Sequence, residues 1–154
     1  MKIYTDGSCT NNGKKNARAG CGAYFGKDDK RNVSSCLDDL QIHYNLKGIN
    51  SNNRAELMAI LVGIDKGNPS DIIVTDSKYS IQCLTVWLDG WKKNNMMTST
   101  NKPVLNQDLI LLIEEKMIHK NITLKHVMAH TGFTDEDSIG NSEADKLAGL
   151  ASAS

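Results

Sequence analysis

Apolar and polar positions alternate along the first third of the chain in the way that β-strands require. Residues 2–5 and 20–26 are rich in β-branched, aromatic and small residues, and residues 33–37 can continue the hairpin that these two segments begin. Residues 40–46 repeat apolar side chains with a period of two, which is also typical of a strand. The pattern predicts an antiparallel meander at the start of the chain.

From residue 52 onward the apolar residues follow the helical repeat, interrupted by short apolar runs. The elements predicted here are a helix over 52–67, a buried strand over 71–76, a helix around 81–88 that ends near Asp89–Trp91, a helix capped by Asn106, a strand over 122–129 and a helix over 141–151. A meander followed by crossovers between parallel strands predicts an α/β fold, with a mixed five-stranded sheet and helices on both faces.

Two of the predicted strands lead directly into an aspartate. Residues 72–75 are Ile-Ile-Val-Thr and precede Asp76, while the first strand runs through Thr5 into Asp6. An unpaired carboxylate resists transfer out of water, so an acid at the end of a buried strand needs a partner. Because binding sites of α/β sheets form at the carboxyl ends of strands, Asp6 and Asp76 are predicted to meet in one site.

Two further acids, Glu56 and Asp145, are predicted in the first turns of helices. One explanation is local, since Asn53 with Glu56 and Ser142 with Asp145 have the spacing of capping boxes, and Asp76 could cap the helix after it. The other explanation is a shared site, because capping does not account for aspartates on two strand ends. Four clustered carboxylates repel unless cations lie among them, and Mg²⁺ or Mn²⁺ prefers such oxygen ligands. Two ions about 4 Å apart can activate a water and stabilise the leaving oxygen of a phosphodiester.

Composition and charge fit one domain with segregated charges. The 154 residues, 40% of them hydrophobic, are enough for a single core, so we expect one domain over residues 1–154. No apolar run approaches the ~20 residues of a membrane span and no leader follows Met1, so we expect a cytoplasmic protein. The four cysteines lack C-x-x-C spacing, which favours reduced thiols. The formal net charge is zero, yet residues 90–107 hold three lysines and no acid, and residues 134–145 hold several acids.

Four segments resemble the motifs of the type 1 ribonuclease H family, in the family's order and over nearly the whole chain. They are YTDGSC (4–9), SNNRAELMA (51–59), VTDSKY (74–79) and GNSEADKLA (140–148). The resemblance implies the ribonuclease H-like fold and an endonuclease that cuts the RNA strand of RNA–DNA hybrids, leaving 3′-hydroxyl and 5′-phosphate ends. It implies that Asp6 bridges two Mg²⁺ ions, or Mn²⁺ in their place, with Glu56 and Asp76 completing one site and Asp145 the other. The implied partner is an RNA–DNA hybrid, and we expect a monomer that does not bind membranes.

The same resemblance assigns a histidine and a substrate surface. VMAHTG (127–132) resembles the family's mobile histidine loop and places its histidine at His130, which could assist proton transfer or product release. The alternative is a solvated loop histidine. The residues implied in substrate contacts are Cys9, Asn12, Asn52 and Asn53 for the minor groove and sugars, and Trp91, Lys92 and Lys93 for phosphates of the DNA strand. Lys78 departs from the family, which often has an uncharged residue at this position, and we expect it to contact a further phosphate. Asparagine suits the 2′-hydroxyl because it both donates and accepts, although turn chemistry and helix capping are local alternatives for Asn12 and Asn53.

Parts of the chain depart from the family pattern. The segment after the first motif is longer and more basic, residues 94–97 hold asparagine and methionine where basic and aromatic residues are common, and the run from His130 to Asp145 is long. Two other functions remain open: the ribonuclease H domain of a reverse transcriptase polyprotein, and a catalytically silent hybrid-binding module. Met1 directly before the first strand favours a free-standing enzyme, and the four acids argue against a silent module. A junction resolvase of the same superfold is disfavoured by the RNA-selecting asparagines.

Overall fold

The computed structural model describes residues 1–153 as a sheet flanked by helices. The strands are β1 (Lys2–Thr10), β2 (Arg18–Tyr24), β3 (Val33–Cys36), β4 (Ile72–Thr75) and β5 (Thr123–His126). The helices are α1 (Leu37–Tyr44), α2 (Asn52–Lys66), α3 (Lys78–Gln82), α4 (Leu88–Lys93), α5 (Gln107–Lys120) and α6 (Glu136–Ala153). A π-helical segment, Cys83–Trp87, joins α3 to α4.

The five strands form one mixed sheet in the order β3-β2-β1-β4-β5. The pairs β1–β2 and β2–β3 are antiparallel, whereas β1–β4 and β4–β5 are parallel. The parallel pairs follow from the crossovers through α2 and through α3 to α5, since parallel neighbours need a connection that returns along the sheet. The predicted meander followed by crossovers is confirmed.

Helices cover both faces of this sheet, as the sequence predicts. Successive residues of β1 point to opposite faces. Ile3 and Thr5 face α2, where a Cβ added at Gly63 would touch both side chains, and Tyr4 faces α6, where a Cβ added at Gly140 would meet its ring. The larger core lies on the α2 side, and a smaller cluster that includes Tyr4 lies under α6.

The strand predicted over residues 40–46 is wrong, because residues 40–44 belong to α1 and residues 45–46 follow its C-terminus. Leu37 and Gln41 are buried four residues apart, and Leu40 and Tyr44 pack against the core with the same spacing. Ile42, which the alternating pattern places with the buried residues, is 79% exposed. The apolar positions fit both periods, and packing of the i, i+4 pairs against the core selects the helix.

Two predicted helix boundaries are also wrong. The helix expected to stop near Asp89–Trp91 continues through α4 to Lys93. Gly90 faces open space and does not end the helix. The chain turns only at Asn95 and Met96, which have positive φ angles. The last helix begins at residue 136, five residues before the expected start at 141. Within residues 1–153 no helix combines the length and apolar character that a bilayer crossing needs.

Candidate active site

The register of the central strands brings the two strand aspartates together. β1 pairs in parallel with β4 as far as Thr5 and Thr75, so Asp6 and Asp76 follow the last pair side by side. β1 itself continues to Thr10, and Asp6 therefore lies inside β1 rather than at its end. What ends at Asp6 is the pairing with β4. Because the β1–β4 pairing stops there, the carboxylates of Asp6 and Asp76 have room at the edge of this parallel pair.

A close approach between β1 and α2 brings Glu56 to the same place. A Cβ added at Gly7 would lie 2.4 Å from the backbone nitrogen of Glu56. Only a residue without a side chain allows this distance, and it puts the helix backbone directly over the residue that follows Asp6. The glycine of the first motif therefore positions the second acid against the first.

A second glycine contact positions α6 and Asp145. Asp6 pairs across the sheet with Gly22 of β2. A Cβ added at Gly22 would lie 2.3 Å from the carbonyl oxygen of Ala144, the residue before Asp145. Small residues on both elements let α6 pack against β2 at the level of Asp6. The fourth predicted acid thereby reaches the same region from the opposite face of the sheet.

Three of the four acids form a compact cluster. Asp6, Glu56 and Asp76 each offer a carboxylate oxygen, and these oxygens lie within 4.8 Å of one another. Asp6 and Glu56 are 3% and 6% exposed. None of the three forms an ion pair with a lysine or arginine in residues 1–153. Buried carboxylates that lack a cationic partner are costly, so the cluster needs a cation or protons from outside.

The pKa values of the clustered acids reflect the same lack of a cationic partner. Burial raises the pKa of Asp6 well above its usual range, and the carboxyl groups of Glu56, Asp76 and Asp145 add to the shift. Burial likewise raises the pKa of Glu56. The Glu56 Oε2 atom is buried and accepts no hydrogen bond from the described residues. This unpaired oxygen beside two other carboxylates suits a hard divalent cation, which takes oxygen ligands.

The capping explanation for Glu56 is wrong. α2 is capped by Ser51, whose hydroxyl accepts a hydrogen bond from the backbone N–H of Arg54 at 3.2 Å. Asn53 is therefore inside the helix rather than at its N-cap, and Glu56 lies beyond the first turn. A carboxylate there gains little from the helix dipole, whose effect falls off within that turn.

The capping explanations for Asp76 and Asp145 are also wrong. The cap of α3 is Ser77, whose hydroxyl accepts from the backbone N–H of Ser80 at 3.1 Å. Because α6 begins at residue 136, Asp145 lies well past its first turn and Ser142 is not its cap. Helix capping therefore explains none of Glu56, Asp76 and Asp145.

Asn141 is a polar residue of this site that the sequence did not single out. It is 3% exposed, and its Nδ2 donates to Oδ2 of Asp76 at 3.2 Å. Its position in GNSEADKLA, four residues before Asp145, was the available signal, since residues four apart share one helix face. The amide joins α6 to the end of β4.

His130 lies in the loop between β5 and α6 and is exposed, with φ of 52°. It lines a cavity of about 260 Å³ together with Asn141 and Asp145. The structure therefore places the predicted histidine beside the predicted acid of α6, across one cavity. A histidine in such a position can exchange protons with solvent and with a group bound in the cavity.

Of the residues predicted to contact the minor groove, Asn52 and Asn53 are the first two residues of α2. Asn12 Oδ1 accepts a hydrogen bond from the backbone N–H of Asn52 at 3.0 Å, which joins the β1–β2 turn to that helix. Asn12, Asn52 and Asn53 are exposed, and Cys9 is half-buried against the core. The structure brings the first two together and leaves the side chains of Asn52 and Asn53 open to a ligand.

The segment of Trp91, Lys92 and Lys93, called the basic protrusion below, is only partly free for phosphates. Lys92 forms an ion pair with Glu114 of α5, whereas Lys93 and Lys78 are exposed and form no ion pair within residues 1–153. Trp91 packs against Trp87 with the rings tilted by 50° and their centroids 5.7 Å apart. Trp87 was missed, although its spacing of four residues from Trp91 in a helix would have indicated the pair.

The fold and the carboxylate cluster define an α/β protein of the ribonuclease H-like fold, with an acidic site at the edge of its parallel strands that fits divalent metal ions. The RNase H family model matches residues 1–153. The chain belongs to the RNase H family.

Relatives and solved structures agree with this assignment. A ribonuclease H of Schizosaccharomyces pombe is 44% identical over 146 residues, which cover 95% of this chain and 50% of the relative. Ribonuclease H1 of Rattus norvegicus is 37% identical over 150 residues, or 95% of this chain and 48% of the relative. The chain spans about half the length of these curated relatives. The solution structure of the PFV RNase H domain matches with a TM-score of 0.72 and 26% identity, covering 99% of this chain and 93% of that one.

Proposed function

We propose that this protein is an endonuclease that hydrolyses the RNA strand of RNA–DNA hybrids. The observation that carries the proposal is the buried cluster of Asp6, Glu56 and Asp76, with an unpartnered oxygen on Glu56. Such a cluster is costly for the fold alone and useful for binding divalent cations. The relatives that share the family bear the name ribonuclease H.

The proposed cofactor is Mg²⁺, with Mn²⁺ as a possible substitute, because both prefer carboxylate oxygens. Asp6 would contribute to both of two sites, with Glu56 and Asp76 completing one and Asp145 the other. Bound there, two divalent ions would supply an activated water and neutralise charge on the leaving oxygen. The chain's own part is to hold the four carboxylates in place through the two glycine contacts of β1 and β2.

His130 is proposed as the residue that moves protons at the site. Its imidazole lies across one cavity from Asp145, at the end of a loop open to solvent. An imidazole in this position can deliver a proton to the leaving 3′-oxygen or aid departure of the product. Within residues 1–153, His130 forms no hydrogen bond that would orient one of the clustered acids.

Substrate selection is proposed to rest on the surface beside α2. Asn12, Asn52 and Asn53 present amide groups that can both donate to and accept from a 2′-hydroxyl, the group that distinguishes RNA from DNA. Cys9 lies at the edge of this surface. Trp91, Lys93, Lys78 and Lys92 would contact the phosphates and sugars of the DNA strand, the last only after release from Glu114.

The reverse transcriptase alternative involves the same chemistry. A foamy viral protease–reverse transcriptase structure matches with a TM-score of 0.73 and 25% identity. The curated ribonucleases H are more similar in sequence, which favours an enzyme of that kind. We propose one catalytic domain over residues 1–154. The free thiols of Cys9, Cys21, Cys36 and Cys83 support a reducing compartment, for which we propose the cytoplasm.

The test is incubation of the protein with an RNA–DNA hybrid labelled on either strand, beside duplex RNA and duplex DNA of the same sequence. With Mg²⁺ present, only the RNA strand of the hybrid should be cut, and the products should carry 5′-phosphates. With a chelator, cleavage should stop. Binding of the hybrid without cleavage at any Mg²⁺ or Mn²⁺ concentration would establish the silent module instead. Cutting of duplex DNA would contradict the proposed selectivity.

A further inference from the structure

Asn141 combines two features that a purely structural residue would not need. Its Nδ2 donates to the Asp76 carboxylate at 3.2 Å, and its Oδ1 is buried without a hydrogen-bond partner among the described residues. The orientation of the amide follows from chemistry, because its NH₂ group is a donor and a carboxylate oxygen is an acceptor. The unpaired atom is therefore the amide oxygen.

A buried acceptor without a donor costs free energy on folding. If Asn141 served only to attach α6 to the sheet, an apolar side chain of the same size would fill the space without this cost. α6 already packs against β2 through small residues such as Ala144 and Ala148, which are fully buried. The amide oxygen is thus unexplained by packing.

The surroundings of Asn141 indicate what the oxygen is for. The residue lies one helical turn before Asp145 and lines the same cavity as Asp145 and His130. Its amide contacts one proposed metal ligand, and its helix carries another. A hydrated Mg²⁺ ion usually keeps several water ligands, and each of these waters is a hydrogen-bond donor.

We propose that Asn141 is a positioning residue of the metal centre. Its Nδ2 holds the Asp76 carboxylate in the orientation that a divalent ion requires, and its Oδ1 accepts a hydrogen bond from the hydration water of an ion held by the carboxylates. The inference rests on the proposed function, since it presumes that the cluster binds such ions. Partners that orient a metal ligand commonly change metal affinity about 10–100-fold when they are removed.

The test compares Asn141→Leu with the wild type by calorimetric titration of Mn²⁺ and Mg²⁺ into the protein without substrate. Leucine has the same number and branching of side-chain heavy atoms as asparagine, is somewhat bulkier, and has no polar atoms. Metal affinity should fall by about 10–100-fold. The thermal midpoint without metal should change little, because loss of the hydrogen bond to Asp76 opposes removal of the unpaired oxygen. With hybrid, kcat should fall and the Mg²⁺ concentration for half-maximal rate should increase, while KM for the hybrid changes little.

Ser152→Ala is the matched control. Ser152 is also a buried polar residue of α6, and its hydroxyl donates to Ser8 of β1, far along the helix from the carboxylates. This variant should keep the metal affinity of the wild type. Asn141→Ala provides a second test if the leucine does not fit, and it should also lose metal affinity.

Unchanged metal affinity in a folded Asn141→Leu or Asn141→Ala protein overturns the inference. A lower metal-free midpoint with wild-type metal affinity overturns it as well, because that result belongs to a residue that only anchors α6. If the wild type itself neither binds divalent ions nor cuts the hybrid, the proposed function fails instead, so the two failures are distinguishable.

Discussion

At the scale of single residues, the molecule concentrates its least favourable charges in one place. Asp6 and Glu56 are buried with no cationic side chain beside them, and burial raises the pKa of both. The metal-free protein therefore loses stability to obtain a site that binds cations. Removing one of these carboxylates should therefore raise the stability of the metal-free protein while it lowers activity.

Asp6→Asn is expected to abolish metal-dependent cleavage while the fold stays intact. Without metal at neutral pH, the thermal midpoint should rise by about 2–4 °C, which corresponds to ~1 kcal/mol for a chain of this length. The physical reason is the loss of repulsion among buried carboxylates. Hybrid cleavage and thermal unfolding in a chelator provide the measurement. Asp28→Asn is the control, because Asp28 is exposed and asparagine also tolerates its positive φ. Turnover near the wild-type rate in folded Asp6→Asn would contradict the metal site.

His130→Ala is expected to slow turnover without abolishing it. Loss of a proton-transfer group typically costs ~10²–10⁴-fold, and loss of an aid to product release costs less. Hybrid affinity should change little, because His130 lines the cavity of Asp145 rather than the surface of Asn12 and Asn52. Single-turnover and steady-state rates distinguish the two roles. His119→Ala, at the exposed end of α5, serves as the control. Equal rates for wild type and His130→Ala would make His130 a solvated loop residue.

At the scale of elements, close backbone contacts set the geometry of the site. β1 and α2 meet at Gly7, and β2 and α6 meet at Gly22, in both cases at the level of Asp6. The acids come from β1, the residue after β4, α2 and α6, so no single element holds the site. A small shift between these elements should therefore change the distances among the acids even when the fold is retained.

Gly7→Ala tests this dependence. The added methyl would lie 2.4 Å from the Glu56 nitrogen, so α2 must shift away from β1. Overpacking of this kind typically costs about 1–3 kcal/mol of unfolding free energy. Metal affinity and kcat should fall together, because Glu56 moves relative to Asp6. Denaturant unfolding and metal titration measure both effects. Gly149→Ala is the control, because its Cβ meets nothing within 4 Å, and alanine in that helix should raise stability by about 0.4–1 kcal/mol. Wild-type metal affinity in Gly7→Ala would show that the close contact does not position Glu56.

The N-terminal extension of α6 contributes a second contact between elements. Asp137 accepts hydrogen bonds from Lys125 at 2.6 Å, Lys2 at 3.0 Å and the Tyr4 hydroxyl at 2.9 Å. Hydrogen bonding from Lys125 lowers the pKa of Asp137 to about 2. The contacts join the start of α6 to β1 and β5 and hold the helix that carries Asp145.

Asp137→Asn is expected to lower the unfolding free energy by about 1 kcal/mol at neutral pH, a value for partly exposed ion pairs. The folded-state pKa is depressed below the unfolded value of roughly 3.9, so the stabilisation is present above about pH 4 and is lost as the pH falls through about 2. The difference between wild type and variant should therefore shrink over that window. Denaturant unfolding at several pH values measures it, with Asp28→Asn as the control. A difference that persists unchanged at pH 2 would contradict the ion-pair origin.

At the scale of the whole molecule, the net charge is zero, but basic and acidic residues are concentrated in different segments of the chain. Lys93 and Lys78 are exposed cations without an ion pair in the described chain, while Lys92 is held by Glu114. Phosphate binding should therefore depend on individual lysines rather than on the charge sum.

Lys93→Ala is expected to weaken hybrid binding and to make its salt dependence shallower by about 1 in log K against log salt, as one phosphate contact contributes. The loss should be similar for all sequences, because phosphates carry no base information. Lys92→Ala should have a smaller effect, since Glu114 already offsets its charge. Binding to the catalytically inactive Asp6→Asn protein at several salt concentrations measures the slope. Lys66→Ala, at the exposed end of α2 away from the site, is the control. An unchanged slope for Lys93→Ala would make the protrusion a solvated face.

The sequence by itself determined the class of fold and indicated four acids as candidate ligands, three of which the structure brings into one cluster. Two strands that run into aspartates and the motifs around Glu56 and Asp145 were sufficient, because a strand's period and a motif's spacing are local properties of the chain. The same locality limited the prediction of α1. Its apolar residues satisfy both the period of a strand and that of a helix, and only the buried pair Leu37 and Gln41 decides between them.

The tertiary structure decided how the acids meet. That Asp6 lies inside β1, that Gly7 and Gly22 admit two helices to it, and that Asn141 donates to Asp76 all depend on contacts between residues distant in the chain. Nothing in the sequence around Lys92 indicates its ion pair with Glu114, which forms only in the folded chain. Periodicity and capping signals describe only neighbours within a few residues. The burial of a charge and the partner it receives are set by packing between elements, which only the folded chain provides.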